Sequence, residues 1–181
     1  MDMPLWTPSP ARVETANVTG FRKAVEAEWK VALSDYGALY RWSVENIEKF
    51  WSSLWRFCGV IASREWDAAL VDGDRMPGAR WFPGARLNFA ENLLRRRDDG
   101  DALVFRGESG VNRRLSHAGL YDRVARCARA LRADGVEAGD RVVGFMPNMP
   151  ETAIAMLATA SIGAIWSSCS PDFGIRGVMD R

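Results

Sequence analysis

Apolar residues recur three or four positions apart at Phe21, Val25, Trp29 and Ala32. This spacing predicts a helix from about Gly20 to Leu33, capped by Thr19 or Asn17. Tyr36-Gly37 breaks the pattern. Val44, Ile47, Trp51, Leu54 and Cys58 then make a second stripe, which predicts a helix from about Ser43 to Cys58. Phe50, Trp55 and Phe57 widen that stripe, so most of this helix requires cover. Ser43 and Asn46 form an imperfect capping pair, because the reciprocal position holds Asn instead of Glu or Gln. Residues 1–17 are proline-rich without periodicity and predict an extended lead-in.

From Val71 to Asn88, glycine and proline punctuate a long connector. Asn88 to Arg97 predicts a short helix with Leu93 and Leu94 inward, and with Arg95, Arg96 and Arg97 complementing its negative end. Ala102–Arg106 and Asn112–Leu115 flank the turn Gly107–Val111, the pattern of a β-hairpin. Ser116 caps the next helix, His117–Asp134. Its stripe is Leu120, Val124, Cys127 or Ala128, and Leu131, and Gly135 stops it. Arg141–Met146 is a short, nearly continuous apolar run, as in a strand covered on both faces. Pro147, Asn148 and Pro150 break the run and start a helix with Glu151 in its first turn. That helix is apolar nearly all round, which predicts burial. Gly163 ends it and Ala164–Ser168 reads as a second strand. Two strands joined by such a crossover are parallel, and ligands gather beyond their C-terminal ends. Those ends are Met146–Pro150 and Ser167–Asp172.

The 181 residues are 48% hydrophobic and 26% charged, enough for one large or two small cores. A net charge of +1 gives no broad field for nucleic acid or a membrane surface. No apolar run reaches the roughly 20 residues a bilayer needs, and the N-terminus lacks the pattern of a signal peptide. Cys58, Cys127 and Cys169 are dispersed, so reduced thiols and a cytoplasmic location are expected. With His117 as the single histidine, a multi-histidine metal centre is excluded. Seven of the eight tryptophans fall between Trp6 and Trp81, and without a basic groove beside them they read as packing anchors. The arginines at 123, 126, 129 and 132 spiral around their helix and read as a solvated face. Neither a dinucleotide or Walker glycine loop, nor HExxH, nor a Gly-x-Ser-x-Gly elbow is present.

Three segments carry a resemblance: Trp81–Asn92 (WFPGARLNFAEN), Gly139–Ala164 (GDRVVGFMPNMPETAIAMLATASIGA) and Trp166–Gly174 (WSSCSPDFG). They resemble acyl-CoA synthetases of the adenylate-forming superfamily, and the last segment is most similar to the branch that uses acetoacetate. The tryptophan-rich helices resemble the N-terminal extension shared with acetyl-CoA synthetases. The resemblance implies an ATP-dependent acid–CoA ligase acting through an acyl-adenylate, with ATP, CoA and Mg²⁺ as its small molecules and acetoacetate as its acid. It places the residues before the Ser-Pro pair, Trp166, Ser167 and Ser168, beside the CoA path. Serines stand where the acetyl-CoA synthetases have glycines.

The expected fold is α/β: an N-terminal helical extension and connector (1–98) packed on the first part of a parallel-sheet (βαβ) subdomain (99–181) that begins an adenylation domain. The phosphate loop and catalytic lysine of such enzymes come later in their chains. The expectation is an N-terminal fragment, inactive alone, with no catalytic or metal-ligating residue and with no cofactor bound. Uncovered apolar surface would then drive self-association. The alternatives are a non-catalytic α/β interaction module that closes its own sheet, and a ligase using acetate or propionate.

Overall fold

Ser9, Asp35, Asn88 and Ser116 each accept a backbone N–H through the side chain, and each starts a helix. In this computed structural model, which describes residues 5–180, the chain divides into two units between Arg86 and Leu87. The first holds helices α1 (Pro10–Glu14), α2 (Asn17–Trp29), α3 (Tyr36–Glu45) and α4 (Ile47–Phe57). A connector follows with two short antiparallel strands, β1 (Leu70–Val71) and β2 (Arg80–Trp81).

Several helix boundaries differ from those expected, and polar side chains explain them. The lead-in contains α1, because Ser9 caps it and Pro10 suits its first position; residues 1–4 of that lead-in lie outside the described residues. Neither Thr19 nor Asn17 caps α2. Ala16 occupies the cap without a side-chain bond, and the Thr19 hydroxyl donates to the Val13 carbonyl at 2.6 Å. Tyr36-Gly37 opens a helix instead of breaking one, since Asp35 Oδ1 accepts the Ala38 N–H at 2.8 Å. The single helix expected from Ser43 to Cys58 is two, interrupted at Asn46 (φ −127°, ψ 55°). Ser43 caps nothing; its hydroxyl donates to the Tyr40 carbonyl at 2.7 Å.

Phe21, Val25, Leu33, Leu39 and Trp42 form the buried core of this unit, with Trp29, Phe50 and Leu54 packed against it. The break at Asn46 divides the second stripe between two helices. Val44, Ile47, Trp51, Phe57 and Cys58 therefore stay exposed, contrary to the expected cover. Rings still pack on one another: half-open Trp51 against Trp81 with centroids 5.4 Å apart, and Trp55 and Trp66 against Phe82. The Trp29 indole donates to Ser53 Oγ at 2.8 Å, and that hydroxyl donates to Glu28 at 2.8 Å, tying α2 to α4.

The second unit runs α5 (Phe89–Leu93), β3 (Asp101–Arg106), β4 (Asn112–Ser116), α6 (His117–Ala133), β5 (Arg141–Phe145), α7 (Pro150–Ser161), β6 (Ile165–Cys169) and α8 (Ile175–Met179). β3 and β4 form the expected antiparallel hairpin. β5 and β6 pair in parallel, from Arg141 opposite Ile165 to Phe145 opposite Cys169, with α7 as the crossover. The core joins Ala90, Leu94, Leu120, Val124, Ala128, Ile154, Leu157 and Ala158. No residue of α7 is exposed, as its composition predicts.

Two expectations fail here. β5 is not covered on both faces: Val143 is 62% and Phe145 55% exposed, while Gly144 between them is buried. α7 lies over one face of the two-stranded sheet and the alternation of the strand leaves the other face open. Of the two leucines expected inward, only Leu94, at the C-cap of α5, is buried, and Leu93 is exposed. Arg95–Arg97 follow the helix instead of closing it; Arg96 pairs with Asp98, and the Arg97 guanidinium lies 3.8 Å from the centroid of the Tyr121 ring.

Asn88 joins two helix ends. Its Oδ1 accepts the Glu91 N–H at 3.2 Å, and its amide donates to the carbonyls of Ala160 (3.2 Å) and Ser161 (3.1 Å). One side chain thus satisfies the start of α5 and the end of α7, both of which lack helical partners. Asn88→Ala is expected to lower unfolding free energy in urea by about 1–2 kcal/mol. Asn88→Ser, which keeps only the α5 cap, should fall between. Equal midpoints for Ala and the parent would contradict this role.

Candidate functional site

The parallel ladder ends where the Met146 N–H donates to the Cys169 carbonyl at 3.1 Å, and the chain turns away at Pro147. That turn is held from both sides. The Thr152 hydroxyl donates to the Pro147 carbonyl at 2.7 Å, and the Thr152 N–H to Met149 at 3.0 Å. Glu151, in the first turn of α7, accepts two bonds from the Arg113 guanidinium at 2.6 and 2.9 Å. Arg113 stands on β4 with its guanidinium carbon 5.1 Å from the Phe105 ring centroid. The hairpin is thereby fastened to the start of the crossover helix. The hydrogen bonds from Arg113 hold the Glu151 carboxyl below its ordinary value of 4.5, against the opposing effect of burial. The same bond raises Arg113.

On the neighbouring strand, Ser167 and Ser168 are exposed and Trp166 is half-buried. Adjacent residues of a strand point to opposite faces. Ser167 therefore shares a face with Val143 and Ile165, whereas Trp166 and Ser168 share the other with Gly144. The structure places the three residues within the five-residue β6, with Ser168 next to its C-terminal residue Cys169, and not on one surface. The Trp166 ring lies over Gly144: a Cβ there would meet ring carbons at 2.5 and 2.8 Å. Trp166 pairs with Val142 and Gly144 with Ser168, so the indole leans two pairs along the ladder, to its diagonal neighbour on the same face. Beyond buried Cys169, the Ser170 hydroxyl donates to Asp172 at 2.8 Å and the Phe173 N–H to Ser170 at 3.1 Å, a tight turn into α8. Next to the β5–α7 turn lies a hollow of about 280 Å³ between β3 and Asn148, Met149, Pro150 and Ala153.

His117 sits in the first turn of α6, where its N–H donates to the Gly100 carbonyl at 3.0 Å. Among the described residues no group of three His, Cys, Asp or Glu is arranged for a metal ion, and no helix is long and apolar enough to cross a membrane. Sequence reasoning missed the Arg113–Glu151 pair and the space under Trp166. The second had a signal: a glycine inside a strand marks a close approach.

Residues 36–93 match the family described as acetyl-coenzyme A synthetase N-terminus, and residues 89–179 match the family described as AMP-binding enzyme. The second match takes in α5 to α8 with the strand ends just described.

The chain belongs to the AMP-binding enzyme family.

It is 53% identical to the acetoacetyl-coenzyme A synthetase of Rhizobium meliloti over 99% of its length, and 42% identical to that of Macaca fascicularis over 98%. A malonamoyl-CoA synthetase of Penicillium aethiopicum is 36% identical over 98%. The chain spans 28%, 26% and 25% of these relatives. The solved acetoacetyl-CoA synthetase from Streptomyces lividans matches 99% of the chain with a TM-score of 0.88 and 43% identity, over 28% of its own length. The resemblance carried by the three sequence segments is borne out, as is the mixed helix-and-strand fold.

Gly144→Ala is expected to displace the Trp166 ring and cost about 1–3 kcal/mol. The near-UV circular dichroism should change in the parent but not in a Trp166→Phe background; an unchanged spectrum in both would contradict the contact. Because the folded value of Glu151 is depressed, its stabilising contribution is complete above the ordinary glutamate range and fades as pH falls through the folded value. Glu151→Gln should therefore lower the urea midpoint near neutrality, with the difference closing as pH falls through the depressed folded value. A gap independent of pH would rule the pair out as its source.

Proposed function

We propose that these residues belong to an ATP-dependent ligase that joins acetoacetate to CoA. The observation that carries this reading is 53% identity over 99% of the chain to an acetoacetyl-coenzyme A synthetase. In the proposed reaction an acetoacetate carboxylate oxygen attacks the α-phosphorus of ATP, and pyrophosphate leaves. The CoA thiolate then adds to the acyl-adenylate carbonyl, AMP leaves, and acetoacetyl-CoA remains. Mg²⁺ accompanies ATP in this proposal, offsetting phosphate charge.

Within that enzyme, residues 1–98 serve as the extension and connector and residues 99–181 open the adenylation domain. The family matches to residues 36–93 and 89–179 support the order of an extension followed by the start of an adenylation domain, the second match beginning at residue 89. Trp166, Ser167 and Ser168 border the route of CoA. Support comes from the nearness of Ser168 to the C-terminal end of β6, where ligands of such sheets collect, and from the exposure of both serines. With the indole committed to Gly144, Trp166 positions the strand, and each serine offers its hydroxyl on its own face of it.

The choice of acid follows from the relatives. Acetoacetate and malonamate share a carbonyl two carbons from the carboxylate, with CH₃ in one and NH₂ in the other. Acetate and propionate lack it. A pocket that hydrogen-bonds this carbonyl rejects acids without it by a factor of about 10² or more. The full reading frame, assayed for AMP and pyrophosphate release with CoA, should prefer acetoacetate over acetate and propionate by at least that factor. Preference for acetate would overturn the substrate. Ser168→Trp should raise the KM for CoA yet leave acetoacetate-dependent ATP–pyrophosphate exchange, which needs no CoA, unchanged. Loss of exchange, or an unaltered KM, would remove these residues from the CoA route.

A further inference from the structure

Tyr121, Val124, Ala125, Ala128, Arg129 and Arg132 line one side of a groove of about 690 Å³. Their spacing of i, i+3, i+4, i+7, i+8 and i+11 is a single stripe of α6, about 16 Å long at 1.5 Å per residue. Leu94 and Arg97 stand on the facing wall, in and just beyond the end of α5. Val124 and Ala128 at the floor and Leu94 at the wall are buried, and Ala125 is small and half-buried, so the floor is apolar and allows close approach. The rim is cationic. Among the described residues Arg129 and Arg132 make no ion pair. Arg97 makes none either, and its stacking on Tyr121 fixes its guanidinium at the wall. Glu91 is the one carboxylate in the lining. The groove meets α7 near Ser161, the opposite end of that helix from Glu151, so the strand-end chemistry makes no use of it.

We propose that this groove docks an acidic amphipathic helix of a partner protein. Its apolar stripe would fill the floor over Ala125 and Ala128, and its flanking carboxylates would pair with Arg97, Arg129 and Arg132. Two observations select a helix over a small anion. The lining extends over three turns of α6 with an apolar centre, the geometry of helix-in-groove recognition. The cations are strung along the rim on two elements, so opposite charge at several points along a guest satisfies them.

The test titrates the 181-residue chain with a labelled peptide of about 14 residues, a helix with a leucine stripe flanked by glutamates. Fluorescence anisotropy reads binding. The controls are the same stripe flanked by lysines, and inorganic pyrophosphate as competitor. The glutamate peptide should bind and the lysine peptide should not. Arg129→Gln/Arg132→Gln should weaken binding about tenfold or more, as should raising salt to about 0.5 M. Ala125→Trp, which fills the floor without touching charge, should weaken it equally; far-UV circular dichroism confirms that each variant is folded. Equal binding of the lysine peptide, indifference to Ala125→Trp, or displacement by pyrophosphate would each overturn the proposal. The last would mark the groove as a small-anion site.

Discussion

Burial of α7 is the constraint from which the second unit takes its shape. Ile154, Leu157 and Ala158 sit in a core shared with α5 and α6, and none of the helix is exposed. Each of the two larger side chains is worth about 1.5–3 kcal/mol when withdrawn from water. A helix so apolar has no stable place on a surface, so neighbouring elements must close around it. It is also the crossover between β5 and β6, so its burial brings the two strands together in parallel and in register.

A helix fixed along its length still needs its ends placed, and polar contacts do this. Asn88 holds the C-terminal end by satisfying carbonyls that lack helical partners. Arg113 holds the N-terminal end by gripping Glu151 from β4. The second contact matters more for function, because the turn it steadies lies beside the C-terminal ends of the strands. Trp166 packs over Gly144 on the neighbouring strand. The proposed CoA route therefore rests on side chains that do not themselves touch a ligand.

Much of this was legible in the sequence where one interaction dominates. The helix from His117, the hairpin and the β5–α7–β6 unit follow from periodicity and from Ser116, Gly135 and Gly163, each of which has one physical reason to be there. Legibility failed where two signals competed. In the first unit a continuous apolar stripe argued for one helix, and a single residue, Asn46, divides it. In β5 an unbroken apolar run argued for cover on both faces, although Val143 and Phe145 are open. An apolar run states what a strand tolerates, not what lies against it. The site was half legible. The strand ends could be placed from topology, but the Arg113–Glu151 pair joins residues 38 positions apart, beyond what local spacing reports.

Native-state hydrogen exchange on the 181-residue chain is the most direct measurement of whether α7 organises this unit. The amides of Leu157, Ala158 and Thr159 should exchange only through global unfolding, together with those of β5 and β6. Exchange of these amides as fast as those of α8, while β5 and β6 stay protected, would contradict it.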